Sequence, residues 1–137
     1  MKRIMEISIV AALLAMLALP TLSNVTATSR PTGEMVIGDQ VVLTIHSAAG
    51  GMSIQQRVDQ VTTRLNKRLG SADFDPNLIT VRKFGSEYAV AYNGDLIVTA
   101  DSKTAKLNDT TTKKLAEKWA ANLKRVIPTA KAKTEHQ

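Results

Sequence analysis

The spacing of apolar positions changes along the chain, and each change marks an element. Over Ile79–Ala100, ITVRKFGSEYAVAYNGDLIVTA, apolar and polar residues alternate by two. That period belongs to strands with one face buried and one face wet or shallowly covered. Asn93-Gly94 sits between two such runs. A two-residue type I′ turn needs positive φ at both central positions, which Asn and Gly tolerate best. Gly85-Ser86 is a second, weaker turn signal. Together they predict a three-stranded antiparallel meander over 79–99.

Before the meander the period is different. Ile54, Val58, Val61, Leu65 and Leu69 recur at spacings of four, three, four and four, which is one apolar stripe on a helix. Ser53 and Gln56 fit a capping box, in which each side chain satisfies the other residue's free backbone N–H. A helix over 53–69 follows, with Gly70 expected as its left-handed cap. Upstream, Gln40–Ser47 is apolar and β-branched and reads as a first strand, its partner left open. Gly50-Gly51 reads as a flexible break, since a phosphate loop needs further glycines and a following Lys-Ser/Thr. Downstream, Ser71–Asn77 is a loop, because Pro76 disfavours helix at Asp75.

After the meander, Asp101 is placed as the N-cap of a short helix through Leu107. Thr110 or Thr111 caps the last helix, 112–126. Leu115, Trp119, Leu123 and Val126 form its stripe, with Ala116, Ala120 and Ala121 alongside. Trp119 is expected on the sheet, Pro128 as the stop, and 128–137 as a disordered basic tail. The fold class is α+β: a three- or four-stranded, mainly antiparallel sheet with helices 53–69 and 112–126 packed on one face.

The N-terminus carries an address. Lys2 and Arg3 precede the apolar run Ile9–Leu19, and Val25-Thr26-Ala27 offers small residues for a signal peptidase. Residues 1–27 read as a cleaved secretory signal, and the run is short for an uncleaved membrane anchor. Residues 28–39, with Pro31 and Gly33, read as a flexible tether, leaving 40–127 as a single domain. Export to the periplasm or cell envelope is the expected localisation.

Composition narrows the chemistry. The 137 residues include no cysteine, which removes disulfides, thiolate nucleophiles and thiolate metal sites. Five aromatic residues leave little for stacking of ligands or bases. The formal charge is +6, and removal of Lys2, Arg3 and Glu6 with the signal leaves +5. Basic chains meet anionic partners. His46 has no partner at metal-ligand spacing. No serine lies in a nucleophile elbow, and Asp73 and Asp75 lack the further oxygen ligands of a calcium loop. No catalytic residue, metal or cofactor is expected.

The residues ITVRKFGSEYAVAYNGDLIVTADSKTA, the loop Asp73-Phe74-Asp75-Pro76 and the Leu-Ala-x-x-Trp-Ala segment Leu115–Ala120 carry a resemblance. Over about Val41–Ile127 the chain resembles the small N-terminal extracytoplasmic domain of cyanobacterial and other bacterial mechanosensitive-channel-like proteins of the small-conductance type. The resemblance implies an extracytoplasmic α+β module and transfers no catalytic residues. No channel-forming helices follow, so a stand-alone exported protein without the pore is expected. Lys113 and Lys114 stand where such domains carry acidic residues, and oppose the helix dipole locally.

The functional expectation is an exported, non-catalytic envelope module that binds or senses something. Its candidate contact residues are Arg57, Arg64, Lys67 and Arg68 on the first helix and Lys113, Lys114, Lys118, Lys124 and Arg125 on the last. Anionic lipid head groups, acidic cell-wall polymer or an envelope protein would suit them. The signal and the few aromatics argue against nucleic acid, and oligomeric state is left open. A small envelope enzyme or enzyme inhibitor, and a self-associating structural protein, are the alternatives.

Overall fold

The computed structural model describes residues 25–135; the signal peptide read over 1–27 lies outside them except for its last three residues. The class is α+β, built on two antiparallel three-stranded sheets. The first contains β1 (Ala27–Ser29), β2 (Glu34–Ile37) and β3 (Gln40–Thr44), in that order. The partner of the first expected strand is therefore β2.

That pairing corrects the tether expected over 28–39. Met35 and Ile37 are completely buried, and Ala27 pairs with Ile37. The expected end of the signal at Ala27 thus falls inside β1, whose neighbour Val25 is also in the core. Gly33 adopts φ +84, and a Cβ there would stand 2.3 Å from the Ile45 carbonyl oxygen. Only glycine lets the two backbones approach so closely.

The second sheet is the meander: β4 (Ile79–Phe84), β5 (Glu87–Tyr92) and β6 (Asp95–Ala100). Asn93 and Gly94 have φ +50 and +88, as a type I′ turn requires. A bulge opposite Val90 and Ala91 puts an extra residue, Ile97, into β6. Ile97 and Val98 are consequently both buried.

Helix α1 (Ile54–Leu69) has both hydrogen bonds of the Ser53/Gln56 capping box. It packs against β1, β2 and β6. Gly70 is right-handed at φ −73, not the expected left-handed cap. Its N–H instead continues the helical pattern to the Asn66 carbonyl at 3.0 Å, and the Ser71 N–H tightens the last turn by donating to the Arg68 carbonyl at 3.1 Å. Helix α2 (Ser102–Leu107) is capped by Asp101.

Helix α3 (Thr112–Glu135) spans both sheets, contacting β3, β4, β5 and β6. Trp119 is 3% exposed, at its centre. Pro128 neither stops this helix nor starts a disordered tail: α3 continues to Glu135. Proline leaves the carbonyl four residues back without its helical donor. Here that carbonyl belongs to Lys124, and both residues face water, so solvent can satisfy it. Thr129 Oγ1 also donates to Arg125 O in the same turn, and Ala130 packs on the core.

Two asparagines, one on each long helix, reach the outer edges of the first sheet. At β1, the Ala27 N–H donates to Asn66 Oδ1 at 2.7 Å, and Asn66 Nδ2 donates to Ala27 O at 2.9 Å. At β3, Asn122 Nδ2 donates to Val42 O at 3.1 Å. Open edges invite further strands. Asn66 occupies both backbone groups of Ala27, whereas Asn122 occupies a single carbonyl.

Candidate functional site

The candidate cations on α1 do not form one surface. Arg57 is 6% exposed. Its Nη1 donates to Ser47 O at 2.8 Å and to Asp101 Oδ1 at 2.7 Å, and its Nη2 donates to Thr99 O at 3.2 Å. The reason is positional. Arg57 follows Ile54 by three and precedes Val61 by four, so it lies on the buried stripe. That spacing was the available signal.

Asp101 is buried with it. Burial alone would raise its carboxyl, but hydrogen bonds prevail and bring it down from 3.8 to about 2. Ser47 Oγ donates at 2.6 Å, the Thr104 N–H at 2.8 Å, Arg57 at 2.7 Å and Thr104 Oγ1 at 2.8 Å. Among the described residues every buried side-chain polar atom has a partner. The cluster ties α1, α2 and the chain after β3 together and leaves no group free for a ligand.

The other α1 cations are divided. Arg64 Nη1 reaches Ile97 O at 3.4 Å. Arg68 pairs with Asp95 and lies 6.0 Å from the Tyr92 ring centre. Lys67 is exposed without such a partner. Arg64 and Arg68 therefore serve the meander, and Lys67 faces the surface.

Helix α3 keeps its cations outside. Lys113, Lys114, Lys118, Lys124 and Arg125 are all exposed, and Glu117 is the one acid among them. The opposite arc, with Leu115, Trp119, Leu123, Val126 and Ile127, is buried. Lys114, Lys118 and Arg125 follow at intervals of four and seven, so they share a stripe about 16 Å long at 1.5 Å per residue. Among the described residues the ion pairs Arg30–Glu34, Arg57–Asp101 and Arg68–Asp95 use none of the five. Lys113 lies 6.0 Å from the Tyr88 ring centre. Lys106 and Lys114 line a shallow depression of about 390 Å³ where α2 meets α3, with Asp109 beside them.

A second concavity, about 190 Å³, runs between the outer edge of β3 and α3. Val42, Thr44 and His46 line one side, and Lys118, Trp119 and Asn122 the other. Sequence reasoning could not find it, because it arises only when the β3 edge and α3 lie side by side. A smaller cleft of about 80 Å³ lies between the β2–β3 turn and the end of α3, lined by Asp39 and Arg125 among others.

Among the described residues no three His, Asp or Glu side chains gather where they could hold a metal ion. None of their helices is long and apolar enough to cross a membrane. Asp75, weighed above as a possible calcium ligand, caps a short 3₁₀ turn by accepting from the Asn77 N–H.

The fold therefore defines a small α+β module with a basic helix across two sheets. The chain belongs to the family described as Domain of unknown function (DUF8459), whose model matches residues 34–130. No curated protein and no solved structure matches it significantly.

Proposed function

We propose that the protein is an exported, non-catalytic module of the cell envelope that holds an anionic envelope component against the outer face of α3. The observation that carries this reading is the exposed set Lys113, Lys114, Lys118, Lys124 and Arg125, with Glu117 alone opposing it. Such a patch attracts phosphate- or carboxylate-bearing surfaces, about 1 kcal/mol per cation near an anionic membrane. The signal-like start supplies the compartment, and the resemblance to extracytoplasmic channel-associated domains agrees with it. The non-catalytic reading rests on the side chains of the cleft that holds His46. His46 shares its cleft with no carboxylate, so the usual acid–base pairing is missing there.

Fractionation of the native host tests the reading. The protein is expected in the envelope fraction and released by high salt. A Lys114→Glu/Arg125→Glu form is expected in the soluble periplasmic fraction. A cytosolic protein, or one whose envelope association ignores both salt and charge reversal, would overturn it.

A further inference from the structure

We propose that the cleft between β3 and α3 binds an extended polypeptide segment carrying a carboxylate, which adds to the first sheet as a fourth strand beside β3. This goes beyond the proposed role of α3's outer face and uses a neighbouring cleft that shares Lys118 with it.

The ladder sets which backbone groups are open. The Ile45 N–H donates to Gly33 O at 2.9 Å, and Met35 is opposite Leu43. In an antiparallel pair, hydrogen-bonded and non-hydrogen-bonded positions alternate. Thr44, opposite Glu34, is therefore a non-hydrogen-bonded position, and its N–H and C=O point away from β2. Val42 is the extra residue of a bulge opposite Met35 and Val36, and its carbonyl meets Asn122. Among the described residues the outward groups of Thr44 have no protein partner. Asn66 closes the opposite edge of the sheet at Ala27 and Asn122 holds β3 at Val42, so the end of β3 at Thr44 is the edge left able to pair.

The cleft selects its occupant. A new strand would sit about 4.8 Å from β3, in the space that Trp119 and Lys118 bound on the far side. No Asp or Glu lines the cleft, while Lys118 does, so an acidic residue or a terminal carboxylate complements it. Main-chain pairing along an edge gives affinity, and the flanking pocket gives selectivity. A second copy of this chain fits worse. Its own β3 edge is flanked by α3, and edge-to-edge docking would bring two Lys118 side chains together.

Two synthetic octapeptide pools test this in the intact protein. Both alternate Val, Ile and Thr; one carries Asp or Glu at a varied position, the other Lys or Arg. Trp119 is the sole tryptophan, so its emission reports on the cleft, and amide NMR follows Thr44 and His46. The acidic pool is expected to bind one to one, shift the Trp119 emission and protect the Thr44 amide from exchange. Lys118→Glu should weaken binding at least tenfold. Thr44→Pro, which removes an outward N–H without touching the ladder to β2, should abolish it. Lys83→Glu, an exposed cation on β4 outside both surfaces, should leave it unchanged. If Thr44→Pro fails to fold, Lys118→Glu and the wild-type amide protection decide. Absence of binding by the acidic pool would overturn the proposal. So would equal binding by both pools, binding that leaves the Thr44 amide unprotected, or a concentration-dependent homodimer paired through β3.

Discussion

Arg57 and Asp101 stand 44 residues apart in the chain and 2.7 Å apart in the fold, both buried. Their pairing joins the helix that carries the first apolar stripe to the cap that follows the meander. It also removes Arg57 from any surface role.

Breaking one side of such a pair leaves a buried charge without its partner, which costs roughly 3–5 kcal/mol. Arg57→Ala is expected near the lower end, because Ser47 and Thr104 still donate to Asp101. Urea denaturation followed by Trp119 fluorescence measures it. A loss below about 1 kcal/mol would mean that the cluster does not hold α1 in place.

The same cluster sets an acid limit. The Asp101 carboxyl is lowered from 3.8 to about 2 in the folded chain. A depressed carboxylate stabilises the fold above its unfolded value and loses that contribution as pH falls through the folded value. The contribution is on the order of 2 kcal/mol, present above pH 3.8 and lost towards pH 2. Denaturation curves from pH 6 to pH 2 should show it, and Asp101→Asn should flatten that part of the profile. Identical profiles for the two proteins would contradict it.

Two glycines with positive φ should respond differently to alanine. At Gly94, φ is +88 and the nearest atom to an added Cβ is the Arg82 guanidinium at 3.4 Å, so the cost is mainly strain, about 1 kcal/mol or slightly more. At Gly33 the added Cβ would collide with the Ile45 carbonyl oxygen at 2.3 Å. Gly33→Ala should therefore lower the melting temperature by more than Gly94→Ala. The reverse order in calorimetry would contradict the close approach of β2 and β3.

The position of β1 bears on processing. Cleavage after Ala27 would remove the residue that Asn66 grips through two hydrogen bonds. Signal peptidases read small residues, and Thr21 and Ser23 offer an earlier pair. The mature chain is expected to start at Asn24. N-terminal sequencing of the native protein decides, and a start at Thr28 would mean that β1 forms without Ala27.

The long-period features were legible in the sequence. Asn93-Gly94, the Ser53/Gln56 box, the Asp101 cap and the Trp119 stripe each carry a local rule that the fold obeys. What escaped was set by tertiary contact. β1 and β2 have three and four residues, too few to show a period, and their pairing comes from burial of Met35 and Ile37. By the local rule Pro128 reads as a stop, because that rule considers one residue alone. A proline on the wet side of a packed helix leaves only an exposed carbonyl unpaired. The basic residues on α3 were visible as a face, but those on α1 had to be seen against Asp101, Ile97 and Asp95 before their internal roles appeared.

Titration of the purified domain with vesicles is the most direct measurement of the central claim. Phosphatidylglycerol vesicles would be compared with phosphatidylcholine vesicles and with a soluble acidic polymer. Binding to an anionic target is expected, weakened by salt. At about 1 kcal/mol per cation, neutralising the three in Lys114→Gln/Lys118→Gln/Arg125→Gln should weaken it roughly hundredfold. Preference for the vesicles would identify lipid as the target, and preference for the polymer the cell wall. Equal affinity for neutral and anionic vesicles without polymer binding, or full affinity in the triple variant, would contradict the assignment of α3 as the binding face.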